Sequence, residues 1–210
     1  MKAPAFARLD HDPASGMPLI PEPPDCAFAE LVAATNYSFL HGASHPSDMV
    51  AQAIALGHAG IGIADRNTVA GVVRAWACLR EARRILTTDA EDELVREKET
   101  PETAEHRRLL AREGLPVLDA FRLVTGARLC FADDTPDIVA YPVNRHGWGR
   151  LTRLLSTGNL KPHVRKGDCD LRLADLLDHA QDMVLIAMAG EADEAALAML
   201  RQAAPGALWL

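Results

Sequence analysis

The chain has 210 residues, 49% of them hydrophobic and 24% charged, with 22 Lys and Arg against 29 Asp and Glu for a net charge of −7. That length supports one substantial domain with its own core, and the composition excludes disorder of the whole chain. The acidic balance argues against a protein whose main task is to grip phosphate backbones, so any contact with nucleic acid has to be local.

Residues 1–24 are rich in proline and lack sustained periodicity, which predicts an extended arm. Phe28 to Ala33 is a short apolar run suited to a strand and ended by the polar Thr35-Asn36 turn. Ser44 is expected to cap a helix in which Met49, Val50, Ala53, Ile54 and Leu56 recur at helical spacing, with Pro46 in the first turn and Gly57 ending it. Gly60 to Ala64 fits a strand buried on both faces in a parallel arrangement. A helix from about Ala70 to Leu86 follows, with Val72, Val73, Trp76, Leu79 and Ala82 as its apolar stripe.

Residues 87–117 form a charged segment with few large apolar groups, Leu94, Leu109 and Leu110, and read as an exposed helical insertion broken at Pro101. Further strands are predicted at Phe121–Leu129, Asp137–Val143, Met183–Met188 and Gly206–Leu210. Further helices are predicted at Gly149–Ser156, Leu173–His179 and Ala192–Ala203. The alternation of strand and helix is the signature of an α/β barrel or doubly wound sheet.

Cys26, Cys78, Cys130 and Cys169 are scattered, without C-x-x-C pairs or a secretory leader. They predict reduced, partly buried thiols rather than a disulfide framework or zinc knuckle, and a cytoplasmic location. No stretch approaches ~18 continuous apolar residues, so no membrane contact is expected.

Three motifs carry a resemblance. Thr35-Asn36-Tyr37-Ser38 follows the first strand, Ala64-Asp65-Arg66-Asn67 ends the second, and Val124-Thr125-Gly126-Ala127-Arg128 lies in the third. With the runs Ala140 to Leu151 and Lys166 to Leu173, in this order and spacing, the chain resembles the N-terminal PHP (polymerase and histidinol phosphatase) domain of bacterial C-family DNA polymerases, most closely the error-prone branch used in damage-induced translesion synthesis. The resemblance covers roughly residues 26–210 apart from the charged insertion, so the expected organisation is an arm at 1–24 and a PHP-type α/β domain at 25–210. It implies a distorted, TIM-like (β/α)7 barrel. The chain stops at Trp209-Leu210 within a predicted strand, so the barrel is expected to be incomplete, as in a fragment or a truncated gene product, and to lack the polymerase palm.

In metal-binding members of that family the first strand carries His-x-His before the Thr/Ser-x-Tyr/Phe-Ser turn, the second ends in Asp-His-Gly-Asn, and the third delivers a glutamate. Here those ligand positions hold Val32, Ala34, Arg66 and Arg128, and only Asp65 matches. Metal-assisted phosphoester hydrolysis needs cations held by converging His, Asp and Glu side chains. Apolar groups cannot coordinate, and guanidiniums cannot be deprotonated and repel a divalent ion. No catalytic residue, bound metal or cofactor is therefore expected, and Arg66 and Arg128 are expected to pair with Asp65 in place of cations or to reach solvent. His41, His45 and His163 could form a rearranged site with Asp65, but none lies on an element with ligand spacing.

Arg145 to Lys166 has six Lys and Arg and no Asp or Glu, which singles out Arg145, Arg150, Arg153, Lys161, Arg165 and Lys166 as candidate contacts to DNA or to another domain. Arg150 and Arg153 are expected on a helix face opposite Leu151, Leu154 and Leu155. The resemblance implies a parent DNA-directed DNA polymerase, a nucleotidyltransferase, with no activity in this chain alone. The implied partners are the rest of the polymerase, DNA weakly or indirectly, and other replication or translesion proteins. The rival readings are a free-standing metal-dependent phosphoesterase or exonuclease, and an interaction module without a polymerase.

Overall fold

The computed structural model describes residues 28–87, 114, 116–165, 167–188 and 194–210, with 85–87 described by their backbone alone. The arm at 1–24, nearly all of the 87–117 insertion, Cys26 and Lys166 lie outside the described residues. Six strands, β1 (Ala29–Ala33), β2 (Gly60–Arg66), β3 (Arg122–Leu129), β4 (Ile138–Pro142), β5 (Met183–Ala187) and β6 (Leu208–Trp209), form one sheet in chain order. The described helices are α1 (Pro46–Ala55), α2 (Val72–Thr87), α3 (Arg145–Asn159), α4 (Leu173–Leu177) and α5 (Glu194–Ala203). The α/β class therefore holds. Neighbouring strands follow chain order, with β1 and β6 at the ends of the sheet.

By internal contact the described residues fall into two compact units, and the boundary between them runs within β1, β2 and β3. The first unit takes in 44–61 and the described part of 73–123. Pro46 opens α1, where its missing N–H costs nothing. The N-cap is His45, which is extended and makes no side-chain bond, so Ser44 does not have the capping role expected of it. Leu56 is the C-cap and Gly57 follows at φ 71°, the left-handed conformation that glycine tolerates. On α2 the buried residues are Ala75, Leu79 and Ala82, whereas Val73 is 69% exposed and Trp76 51%. Two of the five residues of the expected apolar stripe thus face solvent. The spacing 75, 79, 82 is the seam, and the small alanines let the helix approach its neighbours closely.

In the second unit the sheet is mixed: β4 runs antiparallel to β3 and to β5, and β6 runs parallel to β5. Strand alternation sorts its side chains into two faces. Ala127, Leu129, Ile138, Ala140, Met183 and Leu185 join Leu151, Leu154 and Leu155 of α3, Leu176 of α4 and Leu200 of α5 in the main core. On the opposite face Ala64, Val139 and Tyr141 form a smaller cluster, with Val32, Val124, Val184, Ile186 and Met188 packed against it. Tyr141 reaches across that face, and its hydroxyl donates to the Leu31 carbonyl. A Cβ at Gly62 or Gly126 would run into the Tyr141 side chain, which explains glycine at both positions.

The helix expected at Gly149–Ser156 starts earlier, at Arg145. Asn144 caps it by accepting a hydrogen bond from the Gly147 amide at 2.9 Å. Gly147 and Gly149 near that start hide it from a propensity reading, and Gly147 is required because a Cβ there would meet the Asp182 carbonyl. The last strand is shorter than expected, two residues, with Trp209 62% exposed.

Candidate functional site

Asp65 is the last buried residue of β2, in which Gly60 to Asp65 are all buried, and it is 1% exposed. A buried carboxylate is tolerated only when its oxygens are bonded. Oδ1 accepts from the Thr35 amide at 2.7 Å and from the Ser38 hydroxyl at 2.7 Å, and Oδ2 accepts from the Thr35 hydroxyl at 2.8 Å. Ser38 in turn accepts from the Arg66 amide at 3.0 Å. The Thr35 to Ser38 turn is thereby pinned to the end of β2. Its own shape is fixed by Ser38 N–H donating to the Thr35 carbonyl and by the Gly42 amide donating to the Ser38 carbonyl, both at 2.9 Å.

The residue after Arg66 carries a second clamp. Asn67 is left-handed at φ 49°, a conformation asparagine adopts more readily than most residues. Its side chain donates to the Cys130 carbonyl at 3.0 Å and accepts from the Cys130 amide at 2.9 Å, while its own amide donates to the Arg128 carbonyl. The ends of β2 and β3 are therefore held backbone to side chain.

Of the two expectations, pairing with Asp65 is not what Arg66 and Arg128 do, and although partly exposed neither is left to solvent alone. Arg66 Nη1 lies 3.3 Å and Arg128 Nε 2.7 Å from the same oxygen, Oδ2 of Asp137. The reason is register. Leu129 lies opposite Ile138, so extending the antiparallel ladder by one places Cys130 opposite Asp137, with Arg128 diagonal to it. Asp65, meanwhile, is already bonded by Thr35 and Ser38. The Cys130 thiol donates to Asp137 Oδ2 at 3.3 Å. Burial first, then the Asp137 charge, pushes that thiol up to about 12, so it is neutral at physiological pH. Both guanidiniums keep a third of their side-chain surface exposed. At such exposure each pair contributes on the order of 1 kcal/mol.

Chemically this arrangement joins strand ends through Asp137. Guanidiniums do not give up protons near neutral pH, and the thiol is held in its unreactive form. Asp137 was not singled out by sequence reasoning. Its signal, the last of three aspartates before a strand that hairpins onto Arg128, becomes readable only once the register is known.

The other candidates are placed as follows. Val32 packs against the smaller apolar cluster and Ala34 is half-buried beyond it. His41 and His45 are exposed, and His163 bonds Asp170 through Nε2 at 2.6 Å. None of the three bonds Asp65. Among the described residues no group of three or more His, Cys, Asp or Glu is placed to hold a metal ion.

The basic run is partly neutralised in space by carboxylates from outside it. Lys161 lies 2.9 Å from Asp175 and 3.6 Å from Asp170. Arg150 donates to Gln181 at 2.9 Å and lies 3.9 Å from Asp182. Arg145, Arg153 and Arg165 are exposed, with Leu151, Leu154 and Leu155 buried on the other side of α3. Cys78, Cys130 and Cys169 are free, half-buried thiols, as expected of them.

The clamps at the strand ends sit on a mixed sheet with helices, the arrangement of an α/β protein. Residues 30–205 match the family model of the PHP domain, and the chain belongs to that family. It is 46% identical over 167 residues to error-prone DNA polymerase 1 of Rhizobium meliloti (strain 1021), covering 80% of this chain and 12% of that protein. It is 41% identical over 187 residues to the error-prone DNA polymerase of Brucella abortus biovar 1 (strain 9-941), covering 87% and 14%. The corresponding polymerase of Ruegeria pomeroyi is 42% identical over 182 residues, with 83% and 16% covered. The chain thus spans between a tenth and a sixth of the length of these relatives. Among the described residues no helix is long and apolar enough to cross a membrane.

Proposed function

We propose that this chain is the N-terminal PHP domain of an error-prone DNA polymerase acting in damage-induced translesion synthesis, that its metal site is degenerate, and that its role is structural or one of interaction. The observation that carries the reading is the division of charge at the strand ends. Asp65, the one residue matching a ligand position, has both oxygens engaged by Thr35 and Ser38. Arg66 and Arg128, at two other such positions, are bound to Asp137. A di- or trinuclear cluster needs several anionic or imidazole ligands facing one point, and these residues do not fit one. Fixed positive charge is bound to a carboxylate at the strand ends, where cations would otherwise tie them together.

Nucleotide transfer then belongs to another part of the polymerase, in the cytoplasm, and this domain contacts the rest of that chain. Arg145, Arg153 and Arg165 remain the cations of the basic run best placed for a contact to another domain or to DNA. The reading is tested by elemental analysis of the purified chain together with hydrolysis assays on a generic phosphoester and a DNA 3′ end. Substoichiometric zinc, manganese and iron and no hydrolysis are expected. Near-unit occupancy that disappears in Asp65→Ala would refute the degenerate site and favour a metal-dependent phosphoesterase. Combining Val32→His, Ala34→His, Arg66→His and Arg128→Glu is expected to raise metal affinity, because it returns the family's ligand types to the strand ends.

A further inference from the structure

A groove of about 690 Å³ runs between α5 and β6, with Glu194, Leu197, Ala198 and Arg201 on the helix side and Leu208 and Trp209 on the strand side. The four helix residues stand at i, i+3, i+4 and i+7 and so share one face, while Ala196 and Leu200 of the same helix are buried in the core. Across from them Trp209 and the adjoining Leu210 are exposed. Leu208 and Trp209 pair with Leu185 and Ile186 of β5, and among the described residues no strand lies along the other edge of β6. The helix face ends in opposite charges, Glu194 in the first turn of α5 and Arg201 in the last. Both are exposed, and neither has an ion-pair partner among the described residues.

We propose that this face pairs with a second copy of the chain across a two-fold axis. The charges select that occupant. Glu194 and Arg201 are seven residues apart, so two α5 helices laid antiparallel about a point between Leu197 and Ala198 bring Glu194 of each copy to Arg201 of the other. An isologous contact requires a patch that complements itself in this way. A partner of uniform charge, nucleic acid included, would set either Glu194 or Arg201 against its like. Antiparallel helices also place opposite dipole ends side by side. The same axis brings the two β6 edges together antiparallel, where their free backbone groups can bond, and covers Trp209 and Leu210 of both copies. The pairing does not depend on the polymerase reading.

The test is sedimentation equilibrium of the full chain over a range of concentrations. A weak dimer with a dissociation constant in the micromolar range is expected, because the contact is small. Glu194→Arg and Arg201→Glu each make both charge contacts repulsive, so each variant by itself should dimerise at least about tenfold more weakly. An equimolar mixture of the two variants makes both contacts attractive again and should recover the parent's constant to within about threefold. Both side chains are exposed, so circular dichroism should match the parent. If either reversed variant fails to fold, Glu194→Gln and Arg201→Gln still decide, each weakening dimerisation about threefold through two exposed ion pairs; unchanged constants overturn the proposal. A chain that stays monomeric at every concentration leaves the groove to a different polypeptide and overturns it. So does growth beyond the dimer, which marks a head-to-tail contact, and so does a mixture that associates no better than its components.

Discussion

Replacing Asp65 by alanine should destabilise the chain whether or not metal is present. The carboxylate is buried and accepts three hydrogen bonds of 2.7 to 2.8 Å, from one amide and two hydroxyls. Alanine strands all three donors. A buried donor left unpaired costs about 1–3 kcal/mol, and partial relaxation or an entering water reduces the sum, so a loss of about 3–5 kcal/mol is expected. Asparagine keeps the volume and one acceptor oxygen. The Thr35 hydroxyl can reverse to accept from the amide, so Asp65→Asn should cost only about 1–2 kcal/mol. For a chain of this size 1 kcal/mol shifts the melting temperature by about 2–4 °C, which places Asp65→Ala about 10 °C below the parent. The assay is thermal unfolding followed by circular dichroism, with and without a chelator. If Asp65 acts as the anchor of the Thr35 to Ser38 turn, the chelator moves neither protein and the difference between them stays constant. A parent that melts lower with chelator, with the difference from Asp65→Ala closing, would show instead that Asp65 contributes through a bound cation.

Asp137→Ala should cost more than Arg66→Ala or Arg128→Ala, about 2 kcal/mol against about 1, because it leaves two guanidiniums facing each other without their shared carboxylate. Double-mutant cycles in urea unfolding would expose the opposite order. Cys78 is pushed up to about 11 by burial and by Asp48, from 9.0, so its thiolate fraction near neutral pH is about a hundredfold below that of a free thiol. Iodoacetamide should modify it correspondingly slowly in the folded chain and quickly in denaturant, as read by peptide mass spectrometry. Asp170 is held below the usual carboxylate range, first by the His163 hydrogen bond and then, against burial, by the charges of Lys161, Arg172 and His163. The folded chain thus binds that proton more weakly than the unfolded one. Its contribution is complete above about pH 4 and is lost as pH falls through the depressed value. Asp170→Asn should therefore show a shallower loss of stability on acidification than the parent, and an unchanged acid profile would refute that assignment.

Much of this protein was legible in the sequence because the signals were local. Apolar runs bounded by turn residues gave all six strands within a few residues, and three short motifs in the right order gave the family. On the proposed reading the same motifs mark Val32, Ala34, Arg66 and Arg128 as positions without ligand chemistry, since side-chain type decides what can coordinate. What those residues do instead was decided by tertiary structure. Arg66 and Arg128 meet Asp137, and not the neighbouring Asp65, because the register of β3 and β4 brings position 137 to the end of the ladder and because Thr35 and Ser38 reach Asp65 first. The start of α3 was hidden by Gly147, whose lack of a side chain answers the close approach of Asp182 and not any local preference. Trp76 read as core by its hydrophobicity, yet the seam formed by Ala75, Leu79 and Ala82 turned it outward. Periodicity states that a helix has an apolar face, whereas which of two adjacent stripes is buried depends on what packs against it, and that information lies in contacts distant in sequence.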